Sequence, residues 1–232
     1  MKQNWQPKFG IEIEFAMDIE ILKRKLDENN ITYFFMENPR LNPGSKTRNA
    51  EIRRRRAISA LSDGNNLKKV PPTTLVVKPD RSVGELNGWE LNFPPTYTWE
   101  DVAKVLDIVR ECRPVFPDTA ALHVHVDTYM LSQYNVDQIH TYYYLNQEQI
   151  LQEAKAVGLY ADLNQPLPEE LGRLLTRKTN LNIKSAMRRH NTIEHRIYKS
   201  TIDIDEVKWC VEHTINIFKK AMQEIVALTL YN

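Results

Sequence analysis

The sequence lacks several features that would place the chain in a special class of protein. No stretch of its 232 residues is apolar over the length that a membrane-spanning helix needs. Residues 1–5 carry no apolar run, so we expect no secretory signal. The 31 basic residues balance the 30 acidic ones, leaving a formal net charge of +1. The chain as a whole therefore has no electrostatic field that would attract nucleic acid or a membrane surface.

Cysteine is scarce as well. Cys112 and Cys210 each lie within an apolar helical pattern, which favours buried free thiols in a reducing compartment; a disulfide is the alternative. The composition, 42% hydrophobic and 26% charged, is typical of a soluble globular protein. We therefore expect a cytoplasmic protein with one domain over residues 1–232.

What the sequence does contain is four short stretches that alternate between apolar and polar residues. In the clearest of them, residues 121–127, a strand would place His123, His125 and Asp127 on one face. The other three stretches place the following pairs on one face: Glu12 with Glu14, Glu90 with Asn92, and Glu194 with Arg196. Because such groups are costly to bury without partners, the pattern predicts that they meet in one site.

The predicted element order is β-α-β-insertion-β-β-α-β-α-α-β-α. Strands with one polar and one apolar face are typical of a mostly antiparallel sheet that helices cover on one side. Thr98 and Asp101 resemble the capping box of one helix, and Asp203 with Glu206 caps the last one. The prediction is an α+β fold whose other sheet face is open and charged.

Residues 37–72 form a basic insertion that includes the run from Arg53 to Arg56. Two interpretations remain open for it. A run of charge is usually a solvated surface segment, whereas a basic flap over a phosphate-bearing or anionic ligand would use the same residues. A non-catalytic protein that binds nucleic acid through Arg53 to Arg56 is the corresponding alternative function.

The polar strand faces indicate divalent cations, because several carboxylates and imidazoles on one surface repel one another without them. Oxygen-rich ligand sets favour Mg²⁺ or Mn²⁺ over zinc, although His123 and His125 could also ligate zinc for hydrolysis. An arginine among the ligands suits a transferring phosphoryl group. No Gly-x-x-x-x-Gly-Lys-Ser/Thr loop occurs, so metal ions and basic side chains would have to hold any nucleotide.

Four motifs, in this order, resemble those of the amidoligases, which are carboxylate–amine ligases of the glutamine synthetase-like superfamily. They are Phe-Gly-Ile-Glu-Ile-Glu-Phe at residues 9–15, Val-Lys-Pro-Asp-Arg-Ser at 77–82 with Gly-Trp-Glu-Leu-Asn-Phe-Pro-Pro at 88–95, Leu-His-Val-His-Val-Asp at 122–127, and Thr-Ile-Glu-His-Arg-Ile-Tyr-Lys-Ser-Thr at 192–201. The resemblance implies ATP-dependent and Mg²⁺-dependent formation of an amide bond through an acyl phosphate, with a peptide or protein side chain among the candidate substrates.

The resemblance also implies roles for individual residues. The implied metal ligands are Glu12, Glu14, Glu90 and His123. His125 would contact the ATP phosphates or a metal, Glu194 would be a further metal-binding or substrate-binding carboxylate, and Arg196 would steady the transferred phosphate. Asp80, which precedes Ser82, would act on the amine substrate. A metal-dependent phosphotransferase on the same scaffold is the alternative enzyme. His195 departs from the family pattern because it places a polar group on the packed face of its strand.

Overall fold

A computed structural model describes residues 5–36, 74–80, 82–84, 87–155, 180–183 and 191–230, with side chains up to residue 223. The described residues form an α+β fold of seven strands and four helices. The strands are β1 (Phe9–Ala16), β2 (Tyr33–Phe35), β3 (Leu75–Pro79), β4 (Gly88–Phe93), β5 (Ala121–Asp127), β6 (Leu181–Asn182) and β7 (Thr192–Lys199). The helices are α1 (Ile19–Glu28), α2 (Trp99–Glu111), α3 (Gln133–Glu153) and α4 (Ile204–Leu230).

The strands form one sheet in the order β2-β3-β4-β1-β5-β7-β6. β2 pairs with β3 in parallel, whereas β3 with β4, β5 with β7 and β6 with β7 are antiparallel. The prediction of a mostly antiparallel sheet is therefore wrong, and the sheet is mixed. Parallel neighbours need a long crossover between them, and β2 ends 40 positions before β3 begins.

The chain divides into two compact units, Ile13–Pro117 and the combination of Met1–Glu12 with Asp118–Asn232. We call them the central unit and the terminal unit. In the central unit, α1 packs on α2, and Lys25 of α1 forms an ion pair with Glu111 of α2. The predicted capping box of α2 is confirmed, because Thr98 and Asp101 exchange side-chain and backbone hydrogen bonds.

The terminal unit has a buried polar network between β7 and its helices α3 and α4. His195 is fully buried, and its Nε2 and Nδ1 lie 3.0 Å from the Tyr143 hydroxyl and 2.9 Å from Thr214 Oγ1. Burial lowers the pKa of His195 well below its usual value, so the ring stays neutral and needs one donor and one acceptor as partners. The prediction that His195 lies on the packed face is thus confirmed.

A β-bulge interrupts the pairing of β5 with β7. Leu122 pairs with Tyr198 and Val124 with His195, so His123 alone faces the two residues Arg196 and Ile197. Directly paired residues share a face of the sheet, so the bulge puts Tyr198 on the same face as His195.

Three further expectations can be compared with the described residues. Cys112 and Cys210 are buried and are not joined to each other. No helix among the described residues has the length and apolarity to cross a membrane. The basic insertion at residues 37–72 lies outside the described residues.

Candidate metal and active site

The terminal unit gathers Glu12 of β1, His123 and His125 of β5, and Glu194 with Arg196 of β7; we call this group the histidine cluster. The register of the strands explains the gathering, because His125 lies directly opposite Glu194. Glu12, His125 and Glu194 each offer one ligand atom, and these three atoms lie within 4.8 Å of one another.

Both imidazoles contact both carboxylates of the histidine cluster. His123 Nδ1 lies 3.3 Å from Glu12 Oε2 and 3.4 Å from Glu194 Oε1. His125 Nε2 lies 3.2 Å from Glu12 Oε1 and 3.8 Å from Glu194 Oε1. His123 is buried and His125 is partly exposed, so of the two imidazoles His125 is the one nearer to solvent.

Glu194 accepts three hydrogen bonds from side-chain N–H groups of the terminal unit. Arg196 donates from Nε to Oε1 at 2.7 Å and from Nη2 to Oε2 at 2.8 Å, and Asn182 Nδ2 donates to Oε2 at 2.8 Å. Burial alone would raise the pKa of Glu194, but His125, Arg196 and His123 outweigh it and lower the pKa to about 2. Glu194 is therefore ionised at any physiological pH.

A second group, Glu14 of β1, Glu90 of β4 and Asp80 after β3, lies in the central unit; we call it the carboxylate cluster. One ligand atom from each of the three lies within 4.8 Å of the other two. Lys78 lies opposite Glu90 in the β3–β4 register, and its Nζ is 2.6 Å from Glu90 Oε1. Asn92 Nδ2 donates to the same oxygen at 2.7 Å.

Backbone and hydroxyl donors fix Asp80. Asp80 Oδ1 accepts hydrogen bonds from the backbone N–H and the hydroxyl of Ser82, both at 2.6 Å. Its own backbone N–H donates to Gly88 O at 2.9 Å. A Cβ atom at position 88 would lie only 2.1 Å from Asp80 O, so this close approach of the two backbones requires glycine.

The two clusters are built in the same way. Each has a buried glutamate, Glu90 or Glu194, that binds one basic side chain and accepts a hydrogen bond from one asparagine amide. Among the described residues named here, and with neutral imidazoles, each cluster has more carboxylates than basic side chains. Buried carboxylates are costly unless they are neutralised, and a divalent cation is a group that neutralises them.

The structure thus places all eight predicted site residues in these two clusters. Asp127, which shares the predicted face with His123 and His125, has another role: its Oδ1 accepts a hydrogen bond from Tyr129 N and fixes the turn after β5. The sequence did not single out Asn182 or Lys78. Lys78 precedes Asp80 by two residues and so shares its side of an extended chain, which was an available signal. Asn182 lies on a strand of only two residues, where no periodicity can be detected.

The donor sets fit a hard divalent cation. Three carboxylates, or two carboxylates and one imidazole, are ligands that Mg²⁺ and Mn²⁺ accept, and three protein ligands leave other coordination positions to water or phosphate oxygens. In the carboxylate cluster a cation would compete with the Lys78 ammonium for Glu90 Oε1.

Comparison of the chain with models of protein families, with curated proteins and with solved structures finds no match.

Proposed function

We propose that this chain is an ATP-dependent carboxylate–amine ligase that uses Mg²⁺ or Mn²⁺ ions held by the histidine cluster and the carboxylate cluster. The observation that carries the proposal is the pair of clusters, each with three ligand atoms within 4.8 Å and a basic side chain on one of its glutamates. We propose, together with this function, a glutamine synthetase-like fold in which the polar face of the sheet is open to substrates.

The proposed reaction has two steps. An oxygen of the substrate carboxylate attacks the γ-phosphorus of ATP, so that ADP leaves and an acyl phosphate forms. The nitrogen of the amine then attacks the acyl carbon, inorganic phosphate leaves, and an amide bond forms. When bound, the cations would neutralise the charge on the phosphate oxygens, which is the main contribution that a protein makes to phosphoryl transfer.

Arg196 is the residue that we assign to the transferred phosphate. Its Nε and Nη2 donate to the two oxygens of Glu194, which holds the guanidinium beside the ligand atoms of the histidine cluster. A guanidinium in that position would stabilise the negative charge of a transferring phosphoryl group. His125, the more exposed imidazole, is placed to contact either the ATP phosphates or the cation.

The incoming amine must lose a proton before it can attack, and we assign this step to Asp80. The other candidate carboxylate, Glu194, is a weak proton acceptor, because His125, Arg196 and His123 lower its pKa to about 2. Asp80 is instead partly exposed and is held through Oδ1 by Ser82. We therefore treat Glu194 as a ligand and Asp80 as the base.

The substrates belong to a class rather than to one compound. A peptide or protein side chain, a cell-wall peptide, an amino acid or a polyamine would each supply the required carboxylate or amine. We place the reaction in the cytoplasm, where ATP is available, and we assign no membrane partner. The basic insertion at residues 37–72 is a candidate for selecting an anionic substrate.

The test is ATP binding by calorimetry, with and without Mg²⁺, followed by an assay for ADP release. Glu12→Ala and Glu90→Ala should each abolish Mg²⁺-dependent ATP binding and turnover, while the far-UV circular dichroism of each variant stays that of the wild type. Glu148→Ala, which removes an exposed carboxylate from α3, is the matched control and should bind ATP normally. Retained turnover in both cluster variants would refute the proposal.

The product separates the ligase from the two alternative functions. A phosphotransferase would release ADP and leave a stable phosphorylated product without any amide. A nucleic-acid-binding protein would show salt-sensitive binding that is lost when Arg53 to Arg56 are neutralised, together with no ATP hydrolysis. Mass spectrometry of the product and a binding titration at two salt concentrations distinguish these outcomes.

A further inference from the structure

Asn182 is a buried side chain of the histidine cluster whose oxygen has no hydrogen-bond partner in the part of the chain that the structure describes. It lies directly opposite Glu194 in the β6–β7 register, and both residues are only 5% exposed. Its Nδ2 donates to Glu194 Oε2 at 2.8 Å. Its Oδ1 is buried and accepts no hydrogen bond from the described residues. A buried acceptor without a donor is unfavourable, so this oxygen indicates a missing partner.

The orientation of the amide group follows from the hydrogen bonds of its neighbour. Arg196 donates to both oxygens of Glu194, so these oxygens act as acceptors and the NH₂ group of Asn182 faces Oε2. The amide oxygen is then the end of the group that does not contact Glu194. Thus Asn182 presents a donor to Glu194 and carries a buried acceptor on the same amide group.

The two oxygens of Glu194 are consequently distinguished from each other. Oε2 accepts hydrogen bonds from Asn182 Nδ2 and from one N–H of Arg196. Oε1 faces His123 and His125 in addition to Arg196. With Oε2 held from two sides, the carboxylate cannot rotate without losing hydrogen bonds. Oε1 therefore remains directed towards the other ligand atoms of the histidine cluster.

We propose that Asn182 is a positioning residue of the cation site in the histidine cluster. Through Nδ2 it fixes Glu194 so that Oε1 serves as the ligand, and through Oδ1 it accepts a hydrogen bond from a water molecule bound to the cation. The inference rests on the cation site proposed above. Mg²⁺ and Mn²⁺ sites of few protein ligands keep several bound waters, and each such water needs an acceptor.

The test measures Mn²⁺ affinity by electron paramagnetic resonance, which requires neither ATP nor a substrate. It is done in a Glu90→Ala background so that the carboxylate cluster does not contribute to the signal. Asn182→Leu should weaken Mn²⁺ binding by roughly 10-fold to 100-fold, the usual effect of removing a residue that orients a ligand. Asn182→Ala serves as a second variant if the leucine disturbs folding.

The control is Asn146→Leu, since Asn146 also donates from Nδ2, to Tyr142 O at 2.8 Å, but lies on α3 away from the cluster. It should leave Mn²⁺ affinity unchanged. If the Glu90→Ala protein binds no Mn²⁺ at all, the proposed cation site fails and this inference fails with it. If it binds Mn²⁺ and folded Asn182 variants bind equally well, only the role of Asn182 is overturned.

Discussion

Individual polar residues in this chain are buried in two very different ways. Glu194 and Glu90 are each surrounded by donors that offset the loss of hydration. His140 on α3 is fully buried, and neither of its ring nitrogens has a hydrogen-bond partner within the described residues. Burial lowers the pKa of His140 to about 4, although Asp137 acts in the opposite direction.

This difference predicts how stability depends on pH. As the pH falls below 6.5 the unfolded chain protonates His140 while the folded chain does not, until the pH reaches about 4. The folded state therefore loses stability over this interval, by up to about 3 kcal/mol from this one group. His140→Met should remove this loss, so its free energy of unfolding should fall less with acidification than that of the wild type.

Urea unfolding at several pH values between neutral and about pH 4 measures the effect. The control is Leu145→Met, an exposed change on the same helix that should keep the pH dependence of the wild type. Parallel stability curves for the wild type and His140→Met would show that His140 titrates normally in the folded protein.

At the scale of the element, the bulge in β7 decides which side chains face which way. Strict alternation would place Tyr198 with Glu194 and Arg196, on the polar face. The bulge opposite His123 turns it to the helix side, where its hydroxyl lies 2.8 Å from Thr214 Oγ1 and 3.0 Å from His213 Nδ1. Because of this one extra residue, β7 places Glu194 and Arg196 in the histidine cluster and Tyr198 in the buried network.

Deleting Ile197 should close the bulge and return β7 to regular alternation. Tyr198 would keep its place opposite Leu122 on the helix side, and the fully buried side chain of Ile197 would be lost. Because a large buried aliphatic side chain and its packing are removed, we expect a loss of stability of about 2–5 kcal/mol. Thermal unfolding followed by circular dichroism measures it.

The matched variant is Ile197→Val, which keeps the bulge and removes one methyl group from a fully buried side chain. It should cost only about 0.5–1.5 kcal/mol. Similar unfolding temperatures for the deletion and the valine variant would mean that the bulge has no structural role.

At the scale of the whole molecule, each of the two units carries one cluster, so we expect two bound cations per chain. Saturating Mn²⁺ should raise thermal stability, by about 2.7 kcal/mol for one site at a hundred times its dissociation constant. Equilibrium dialysis should count two ions for the wild type and one for either Glu12→Ala or Glu90→Ala. A single ion in the wild type, or two in both variants, would contradict this assignment.

The sequence predicted which polar side chains lie together better than it predicted the pairing of the strands, for a physical reason. Side chains such as Glu12, His125 and Glu194 follow from the two-residue period of a strand, which is a local property of the chain. The parallel pairing of β2 with β3 and the bulge at Arg196 and Ile197 depend on which strands become neighbours. No local sequence pattern determines which strands become neighbours. For the same reason the sequence does not identify Asn182 as a residue of the histidine cluster.

The parallel pairing of β2 with β3 has a consequence for the order of folding. Tyr33 pairs with Leu75 across 42 positions, whereas Pro79 pairs with Trp89 across 10. Each doubling of a loop costs about 0.6 kcal/mol of closure entropy, so this fourfold difference disfavours early β2 docking by about 1.2 kcal/mol. β2 should therefore join the sheet after the β3–β4 hairpin has formed. Phe35 of β2 contacts the buried indole of Trp89, with ring centroids 5.4 Å apart. We therefore expect the docking of β2 to change the fluorescence of Trp89 in a late kinetic phase of folding.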